Sequence, residues 1–532
     1  MTPIFSIFIF LLITKFRDIF HTFSEVKLQT HFILLLIFLL GFWFRNSEYS
    51  YGASFDGYFY VDTARTLYEK NLYAKGCAIG NLEFCRLYHQ HLFPPAYPYL
   101  IYLLFVFFGE HDLFAMYISG ILGSLTILLV FSITYLLFKD EEISLMAALI
   151  FAFVPLDIMI SQTSAVRAST LFFISLTILF YLITLQNFSF HMFSLLAITF
   201  SLTIYMRQEN SILLVPMIIG LFLFTNHKNL INQMKYLKFL KKEVVIPILL
   251  FLLTQIPVQH WILFNPFGFG AFRSLFSLQS LQIRLPYVIN DFFMPQRWIQ
   301  VYLFQPVISF LFIMSIPLIF YCYIKKDKII WKGGLFLLIV FCLYFLLNLS
   351  YFLLGGRISG DYIRQIHAIV LPYSILSALS LLFPLKKFIN KKFISFVIFI
   401  ALTISMLPFI KINFSIFKDG RIEEEFTRDL IMAINTTPEN SLVLISQSAV
   451  PTFDLIRNKE RRWIDTNIIP IQEYRFFWDE INESKGRPIY FISNYGCEYG
   501  EEEELCTFIH KNFKLSNHTS IGRRMKVFKV EI

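Results

Sequence analysis

The sequence predicts an α-helical, multi-pass membrane protein with a small α/β domain at its C-terminal end. Of the 532 residues, 56% are hydrophobic, 16% are charged and 64 are phenylalanine. Apolar runs of about 20 residues, the length that crosses a bilayer core, recur along most of the chain. The net charge of +9 is concentrated in a few loops, and the chain has no phosphate-loop, zinc-ligand or dinucleotide motif. Nucleic acid is therefore not an expected partner.

The apolar windows predict about eleven membrane spans. We place them at 29–44, 113–138, 143–160, 168–186, 190–206, 211–225, 244–263, 299–323, 334–354, 367–384 and 393–410. An earlier apolar stretch, 3–14, is short for a span and is expected to be an interfacial or signal-like helix without a small-residue cleavage site.

The lysines and arginines orient these spans. Lys139 and the lysine-rich segments 227–242, 325–332 and 386–392 fall in alternate loops. The positive-inside rule assigns these loops, and the N-terminus, to the cytoplasm of a plasma or inner membrane, where they also attract anionic membrane lipids. The loops at 45–111, about 156–168, about 206–210, 264–298 and 355–366 are then external, as is everything from residue 411 onward.

The chain changes character after the last span. Residues 1–410 are predicted to be the membrane domain, including the external loop 45–111, and residues 411–532 an extracytoplasmic domain. Short β-like runs at 441–446, 488–493 and 525–532 alternate with helix-like stretches at 423–435 and 501–513, which is typical of an α/β domain.

The six cysteines fit an external C-terminal domain. Cys77 and Cys85 share the first external loop, and Cys497 and Cys506 share the external domain, so each pair either forms a disulfide in an oxidising compartment or stays reduced. Cys322 and Cys342 fall in or near spans and are expected to be buried thiols.

The first external loop holds an unusual concentration of polar residues. Asp56 stands alone between aromatic residues, immediately after the first span. Asp62, Arg65 and Glu69 follow at helical spacing and are expected on a helix surface. The apolar segment 95–109 is predicted to be a juxtamembrane or re-entrant helix, which begins after Pro94 and ends at Gly109.

Several motifs in one order resemble a known family. They are "FDGYFYVDTA" (55–64), "PPAYPYLIYLLFVFFG" (94–109), "DLFAMYISGILGSLTILLVFSITYLLF" (112–138), the span ending in Pro155, "YMRQENSILLVPMIIG" (205–220) and "GGRISGDYIRQIHAIVLPYSILSALSLL" (355–382). This order resembles the GT-C membrane glycosyltransferases, in the branch of protein mannosyltransferases and aminoarabinose transferases. The likeness is good over 29–225 and looser to 410.

The resemblance implies a reaction. These enzymes take a sugar from a polyprenyl- or dolichyl-phosphate carrier and pass it to an extracytoplasmic acceptor, with inversion at the anomeric carbon. Asp56 takes the position of the family's first-loop acidic residue, whose expected role is general base or acceptor partner.

The phosphate side of such a reaction needs positive charge. Candidates at the predicted external ends of spans are Arg167, Arg207, Arg357 and Arg364. Glu209 and Asp361 are placed to hold two of these arginines. Arginine suits phosphate because its donors form a planar fork, although an arginine at a span end also reaches lipid headgroups.

A second acidic or acceptor site is less well marked. Its candidates are Asp157, Glu110, Asp112 and His91, and Asp112 is also a candidate N-cap. The family's later acidic position reads "AVRAST" (165–170), where Arg167 stands and no carboxylate does. No cofactor is implied, and the need for a divalent metal stays open.

Three alternatives remain, and one of them is a non-catalytic envelope protein, which would keep the fold but have no need for Asp56. An oligosaccharyltransferase would share the first acidic motif and require a metal, but the Trp-Trp-Asp-Tyr-Gly signature of those enzymes is not found. A lipid-linked sugar flippase or other transporter would place ionisable groups in mid-span, whereas here they cluster at the external span ends.

Overall fold

The computed structural model of the chain describes most of the apolar region and parts of the C-terminal region. The described residues are 1–47, 55–73, 94–111, 113–225, 242–264, 278–295, 302–350, 366–388, 404, 429, 432–445, 462–465, 478, 481–482, 484, 486–493, 503–521 and 525–531. The chain divides into two compact units. The first unit comprises Met1–Tyr49, Pro94–Tyr97 and Tyr117–Ile416, and the second comprises Ser50–Phe93, Pro98–Met116 and Phe417–Ile532.

The described part of the chain contains sixteen α-helices. They are α1 Thr2–His21, α2 Leu28–Asn46, α3 Phe55–Lys70, α4 Ala96–Phe108, α5 Phe114–Phe138, α6 Glu141–Ala152, α7 Pro155–Ser161, α8 Val166–Gln186, α9 Phe190–Met206, α10 Leu214–Phe224, α11 Lys242–Phe264, α12 Leu278–Asp291, α13 Pro306–Ile324, α14 Lys328–Ser350, α15 Val370–Phe388 and α16 Glu503–Asn512. Two 3₁₀ segments, Gln208–Leu213 and Ile366–Ile369, lead directly into α10 and α15.

The predicted fold class is confirmed. Six described helices are long and apolar enough to cross a membrane, or seven if α6 and α7 form one broken span. The six are Leu28–Asn46, Phe114–Phe138, Val166–Gln186, Pro306–Ile324, Lys328–Leu347 and Ile366–Lys386. A helix also occupies the segment predicted to be juxtamembrane or re-entrant, as Ala96–Phe108. All of the predicted span 393–410 except residue 404 lies outside the described residues, so the count of eleven stays a prediction.

The span predicted at 143–160 is broken. α6 ends at Ala152, α7 begins at Pro155, and the two axes differ by 58°. Proline fits the first position of a helix because it has no N–H to donate, and it disfavours helical geometry in the residue before it. Val154 is accordingly extended, with φ −65° and ψ 117°. The side chain of Asp157, just after this break, is buried in the interior of the first unit.

One end of the first unit collects the charged loops. Lys386, near the end of α15, lies 2.7 Å from both carboxylate oxygens of Asp140, and Thr30 of α2 donates a hydrogen bond to Glu141. A Cβ added to Gly333 would lie 2.8 Å from Phe138 Cε1, which puts the start of α14 beside the end of α5. We call this the lysine end. The end of α2 and the starts of α8 and α15 therefore lie at the opposite end.

The first helix runs alongside the apolar bundle. α1 packs against α9, and it buries Phe5, Phe8 and Leu11, the ring of Phe8 lying 6.3 Å from that of Phe173. Just after α1, the ring of Phe23 lies 6.1 Å from that of Tyr135 near the lysine end. The helix is thus longer than the predicted 3–14 and lies along the bundle.

The second unit contains a five-stranded mixed sheet. Its strands are β1 Leu442–Ile445, β2 Arg462–Asp465, β3 Ile489–Ser493, β4 Lys514–Ile521 and β5 Met525–Glu531, in the order β2-β1-β3-β5-β4. β1 pairs in parallel with β2 and β3, whereas β5 is antiparallel to β3 and β4. Apolar residues of α16 and the strands form a core that includes Ile509, Leu444 and Phe491. The predicted small C-terminal sheet is present.

The polar residues of α3 are not all on its surface. Asp62 and Arg65 are buried, and the Arg65 guanidinium forms an ion pair with Glu110, whereas Glu69 is exposed. The expectation that all three are surface groups is therefore wrong for Asp62 and Arg65. Arg65 is drawn inward by a partner, Glu110, that lies 45 residues further along the chain.

Candidate active site

Three of the predicted phosphate-side residues meet at the end of the bundle opposite the lysine end. Arg167 lies in the first turn of α8, Arg207 directly follows α9, and Glu209 lies in the 3₁₀ segment before α10. Nη1 of Arg167 is 3.7 Å from Oε1 of Glu209, and Nε of Arg207 donates a hydrogen bond to the same oxygen. The side chains of Arg167, Arg207 and Glu209 are 12%, 17% and 14% exposed, so each is mostly buried but can still be reached by a ligand.

Local structure explains why these groups converge. α9 stops at Met206 because Arg207 is extended, with φ −157°. Nδ2 of Asn210 donates to the carbonyl of Thr203 at 2.9 Å and satisfies a carbonyl group in the last turn of α9. This contact folds the 3₁₀ segment back toward α9. Glu209 is thereby turned toward both arginines.

Arg167 and Glu209 line a small pocket in the first unit, and Arg207 contacts Glu209 without being one of the lining residues. The polar walls of the pocket are Arg167, Thr170, Glu209, Asn210, Tyr344 and His367, and Leu171 and Ala368 complete it. The hydroxyl of buried Tyr344 donates to Oδ1 of Asn210 at 3.5 Å, which joins α14 to the 3₁₀ segment. Two guanidinium groups share one carboxylate here, so Arg167, Arg207 and Glu209 together carry one positive charge.

A second group of charges lies buried beside the pocket. Arg45, in the last turn of α2, and Asp157 of α7 are both fully buried. Nε and Nη2 of Arg45 donate to Oδ2 of Asp157 at 2.8 and 2.6 Å. Nη1 donates to the carbonyls of Gly41 and Ala152, and Nη2 to that of Phe151, each at 3.0 Å. Arg45 therefore donates to two carbonyl groups in the last turn of α6, next to the break.

His367 connects the two groups. Its Nε2 lies 2.7 Å from Oδ1 of Asp157, and the same residue forms part of the pocket wall. Arg45, Asp157 and His367 thus form a continuous polar path from the end of α2, through the helix break, to the pocket.

Sequence reasoning missed two of these residues. Arg45 is a lone cation at the predicted external end of the first span, a position that the positive-inside rule disfavours. His367 stands in the apolar run "QIHAIV" (365–370). A charged or titratable residue in such a place signals a partner, but that partner is 112 residues from Arg45 and 210 residues from His367.

Other predicted residues have different surroundings. The carboxylates of Asp157 and Glu110, both candidates for a second acidic role, are held by Arg45 and Arg65. The backbone of Asp56 lies in α3, but its side chain is outside the described part of the chain. The candidates Arg357, Asp361, Arg364, Asp112, His91, Cys77, Cys85, Cys497 and Cys506 also lie outside the described residues. Cys322 is buried as expected, whereas the expectation of a buried thiol is wrong for Cys342, which is exposed on α14.

A metal centre was left open by the sequence. Within the described residues, no three histidine, cysteine or acidic side chains converge as a ligand set. Asp157, Glu209 and Glu110 each have an arginine as their partner instead. These carboxylates are arranged to hold cations of the protein itself, and we assign no chemical step to a metal.

Part of the chain matches a known protein family in sequence. Residues 93–261 match the family described as dolichyl-phosphate-mannose-protein mannosyltransferase. No curated protein matches the chain in sequence.

Solved structures match over nearly the full length. ArnT from Cupriavidus metallidurans in the apo state has a TM-score of 0.56 at 11% identity, over 94% of this chain and 97% of that one. The same protein bound to undecaprenyl phosphate has a TM-score of 0.54 at 11% identity, over 95% and 98%. The Archaeoglobus fulgidus oligosaccharyltransferase, in complex with zinc and sulfate, has a TM-score of 0.52 at 13% identity, over 92% of this chain and 72% of that one.

These matches identify the fold. The chain is an integral membrane protein with the GT-C fold, and the predicted resemblance to that superfamily is confirmed.

Proposed function

We propose that this protein is a membrane glycosyltransferase that moves a sugar from a polyprenyl- or dolichyl-phosphate carrier to an extracytoplasmic acceptor. The acceptor is a protein, a lipid or a glycan, and the anomeric carbon is inverted. The observation that carries the proposal is the pocket lined by Arg167 and Glu209, whose carboxylate also pairs with Arg207, at the end of a GT-C fold opposite the lysine end.

The chemistry suits such a pocket. A sugar linked to a lipid phosphate has a good leaving group, because the phosphate departs as a stabilised anion. The protein has to neutralise that anion and orient the acceptor on the opposite face of the sugar. Arg167 and Arg207 supply the positive charge, and their fork-shaped donors match phosphate oxygens. Glu209 holds both guanidinium groups at the pocket before the donor arrives.

The proposed reaction is a single displacement. The acceptor hydroxyl oxygen forms a bond to the anomeric carbon while the bond from that carbon to the phosphate oxygen breaks. The hydroxyl proton passes to the carboxylate of Asp56, and the electron pair of the broken bond stays on the lipid phosphate. Asp56 keeps the role of base or acceptor partner that the resemblance implies.

The membrane orientation follows from charge. We place the lysine end, with Lys139 and Lys386, in the cytoplasm and the pocket at the outer surface, in line with the positive-inside rule. The C-terminal domain is then external, where it can help to hold the acceptor.

A reconstituted reaction tests the proposal. The purified chain is placed in lipid vesicles with a panel of polyprenyl-phosphate-linked sugars and candidate acceptors, and sugar transfer is compared between the wild type and Asp56→Asn. We expect loss of a carboxylate base to slow transfer by roughly 10²- to 10⁴-fold. Glu69→Gln, an exposed acidic residue on the same helix, serves as the matched control and is expected to retain wild-type activity.

Two results would contradict the proposal. Wild-type transfer by Asp56→Asn would remove the role of Asp56. Binding and translocation of the lipid carrier with no sugar transfer, for every donor in the panel, would favour a flippase instead.

An oligosaccharyltransferase is the second candidate, because the Archaeoglobus fulgidus enzyme matches 92% of this chain in structure. That function would require a lipid-linked oligosaccharide as donor and a divalent metal. Transfer of an oligosaccharide to a peptide, abolished by a chelator and restored by metal, would establish it over the proposed monosaccharide transfer.

A further inference from the structure

His367 is the one buried histidine that joins the pocket to the fully buried ion pair, among the residues that the structure describes. It is 2% exposed, and it bonds Asp157 through Nε2 while it also lines the pocket with Arg167 and Glu209.

Arg45 cannot itself serve the pocket. All five of its N–H donors are used, on Asp157, Gly41, Ala152 and Phe151. Oδ2 of Asp157 faces Arg45, and Oδ1 is left to accept from His367. The pair therefore fixes the imidazole at one nitrogen, and it leaves the rest of the ring to the pocket wall.

We propose that His367 contacts the phosphate of the lipid carrier as a third donor beside Arg167 and Arg207, with Arg45 and Asp157 as positioning residues. This rests on the proposed function for the identity of the ligand. An imidazolium donates at both ring nitrogens, so His367 bonds Asp157 with Nε2–H and a phosphate oxygen with its other N–H.

The arrangement explains why an ion pair is buried at this position. Burying two charges seldom stabilises a fold more than apolar residues of the same size would. Here the pair caps the broken helix and orients a side chain that reaches the ligand. Such a role depends on the charge of Asp157 and not merely on the volume that it fills.

Binding of polyprenyl phosphate to the purified full chain in nanodiscs tests the contact. We expect His367→Gln to weaken Kd about tenfold, the effect of losing one hydrogen bond to a charged group. His191→Gln is the matched control, because that histidine is exposed at the start of α9, away from the pocket. Each variant is first checked by thermal unfolding, and inorganic phosphate is a second probe that requires no lipid tail.

The positioning residues need a charge-balanced variant. Asp157→Asn alone leaves the Arg45 cation buried without a counter-charge and is expected to be poorly folded. The double variant Arg45→Gln/Asp157→Asn is neutral and recovers the fold. We expect its Kd for polyprenyl phosphate to be about tenfold weaker than wild type, and His367→Gln added to it to change Kd less than threefold, because the residues act as one unit.

Two outcomes show whether the inference alone fails or the proposed function fails with it. Wild-type Kd in His367→Gln, with binding in the wild type intact, overturns the inference and leaves the proposed function standing. If the wild type binds neither polyprenyl phosphate nor inorganic phosphate, both are overturned.

Discussion

The charged residues at the pocket are balanced to different degrees. The carboxylate of Asp157 forms an ion pair with Arg45, and both side chains are fully buried. Glu209 is shared by Arg167 and Arg207, and this group is partly exposed. The first arrangement is closed to a ligand, whereas the second is open to one.

Glu209 is therefore expected to compete with the ligand for both arginines. In Glu209→Gln the pocket gains a full positive charge while its volume stays nearly the same. We expect the Kd for polyprenyl phosphate to tighten roughly three- to tenfold, a value discounted from the direct Coulomb attraction because the group is partly solvated. Equilibrium binding at low and high salt measures the effect, which should shrink as salt rises.

Glu25→Gln is the control for this change, because Glu25 is exposed near the lysine end. Weaker binding by Glu209→Gln than by the wild type would mean that Glu209 chiefly orients the arginines and does not compete with the ligand.

The site could be predicted only where position along the chain carried the signal. Arg167, Arg207 and Glu209 lie at the start of a predicted span or just after the end of one. The predicted topology therefore placed all three on the same side of the membrane. The partners of Arg45 and His367 lie 112 and 210 residues away, and pairings at such distances follow from helix packing, which a single sequence does not specify.

At the scale of elements, α6 is held by a different neighbour at each end. At its start, Oδ1 of Asp140 accepts from the N–H groups of Glu142 and Ile143 at 3.0 Å, and Lys386 of α15 lies beside it. At its end, Arg45 of α2 caps the last carbonyls. α6 thus ties α2 and α15 together, and this fixes the relative positions of Arg45 and His367.

We expect the N-cap of α6 to matter more than its ion pair. Asp140→Ala loses the cap and should lower the free energy of unfolding by about 1–2 kcal/mol. Asp140→Ser retains a capping oxygen and should recover most of that loss, although it cannot pair with Lys386. Lys386→Met keeps the cap and removes the ion pairs of Lys386 with Asp140 and Glu142, which are partly exposed and therefore worth about 1 kcal/mol or less each.

Denaturant or thermal unfolding in detergent measures these three variants. If Asp140→Ser were as unstable as Asp140→Ala, the ion pair with Lys386 would be the main contribution of Asp140, and the cap would be secondary.

Elements with a strong apolar pattern were predicted well, and those without one were not. β1, β3 and β5 carry apolar runs and were anticipated. β4, "KLSNHTSI", is mostly polar because it lies at the edge of the sheet, and β2 has only four residues. α12 contains Pro286 and several polar residues, so nothing marked it as a helix. The break between α6 and α7 was hidden in one apolar window, although Pro155 stands at it.

At the scale of the whole first unit, the contacts of α1 show how far this helix extends along the bundle. Counted as helix, the chain from Phe23 to Phe8 is about 22 Å long and runs away from the lysine end. Gln186 donates to the carbonyl of Leu136 near the lysine end, and from there to Phe173 α8 rises about 20 Å. The two distances agree, as the contact between Phe8 and Phe173 requires. α1 therefore runs along most of the bundle.

The outer side of α1 is also apolar. Phe10, Ile13, Phe16 and Phe20 are 64–69% exposed, and in water they would form a large apolar patch. Lys15 and Asp18, which lie in the half nearer the lysine end, pair with each other at 2.5 Å. An apolar side facing away from the bundle and a paired charge suit a helix that is embedded in lipid.

These contacts favour a topology different from the one expected from the lysines before the first span. If α1 crosses the bilayer, Thr2 lies on the pocket side and Ser24 on the lysine side, whereas an interfacial α1 would leave both in the cytoplasm. Thr2→Cys and Ser24→Cys, both exposed positions, distinguish these cases by labelling with an impermeant maleimide in sealed vesicles of known orientation, with wild-type labelling as the baseline. We expect the two positions to label from opposite faces. Labelling of both from the cytoplasmic face would return the N-terminus to the cytoplasm and make α1 an interfacial helix.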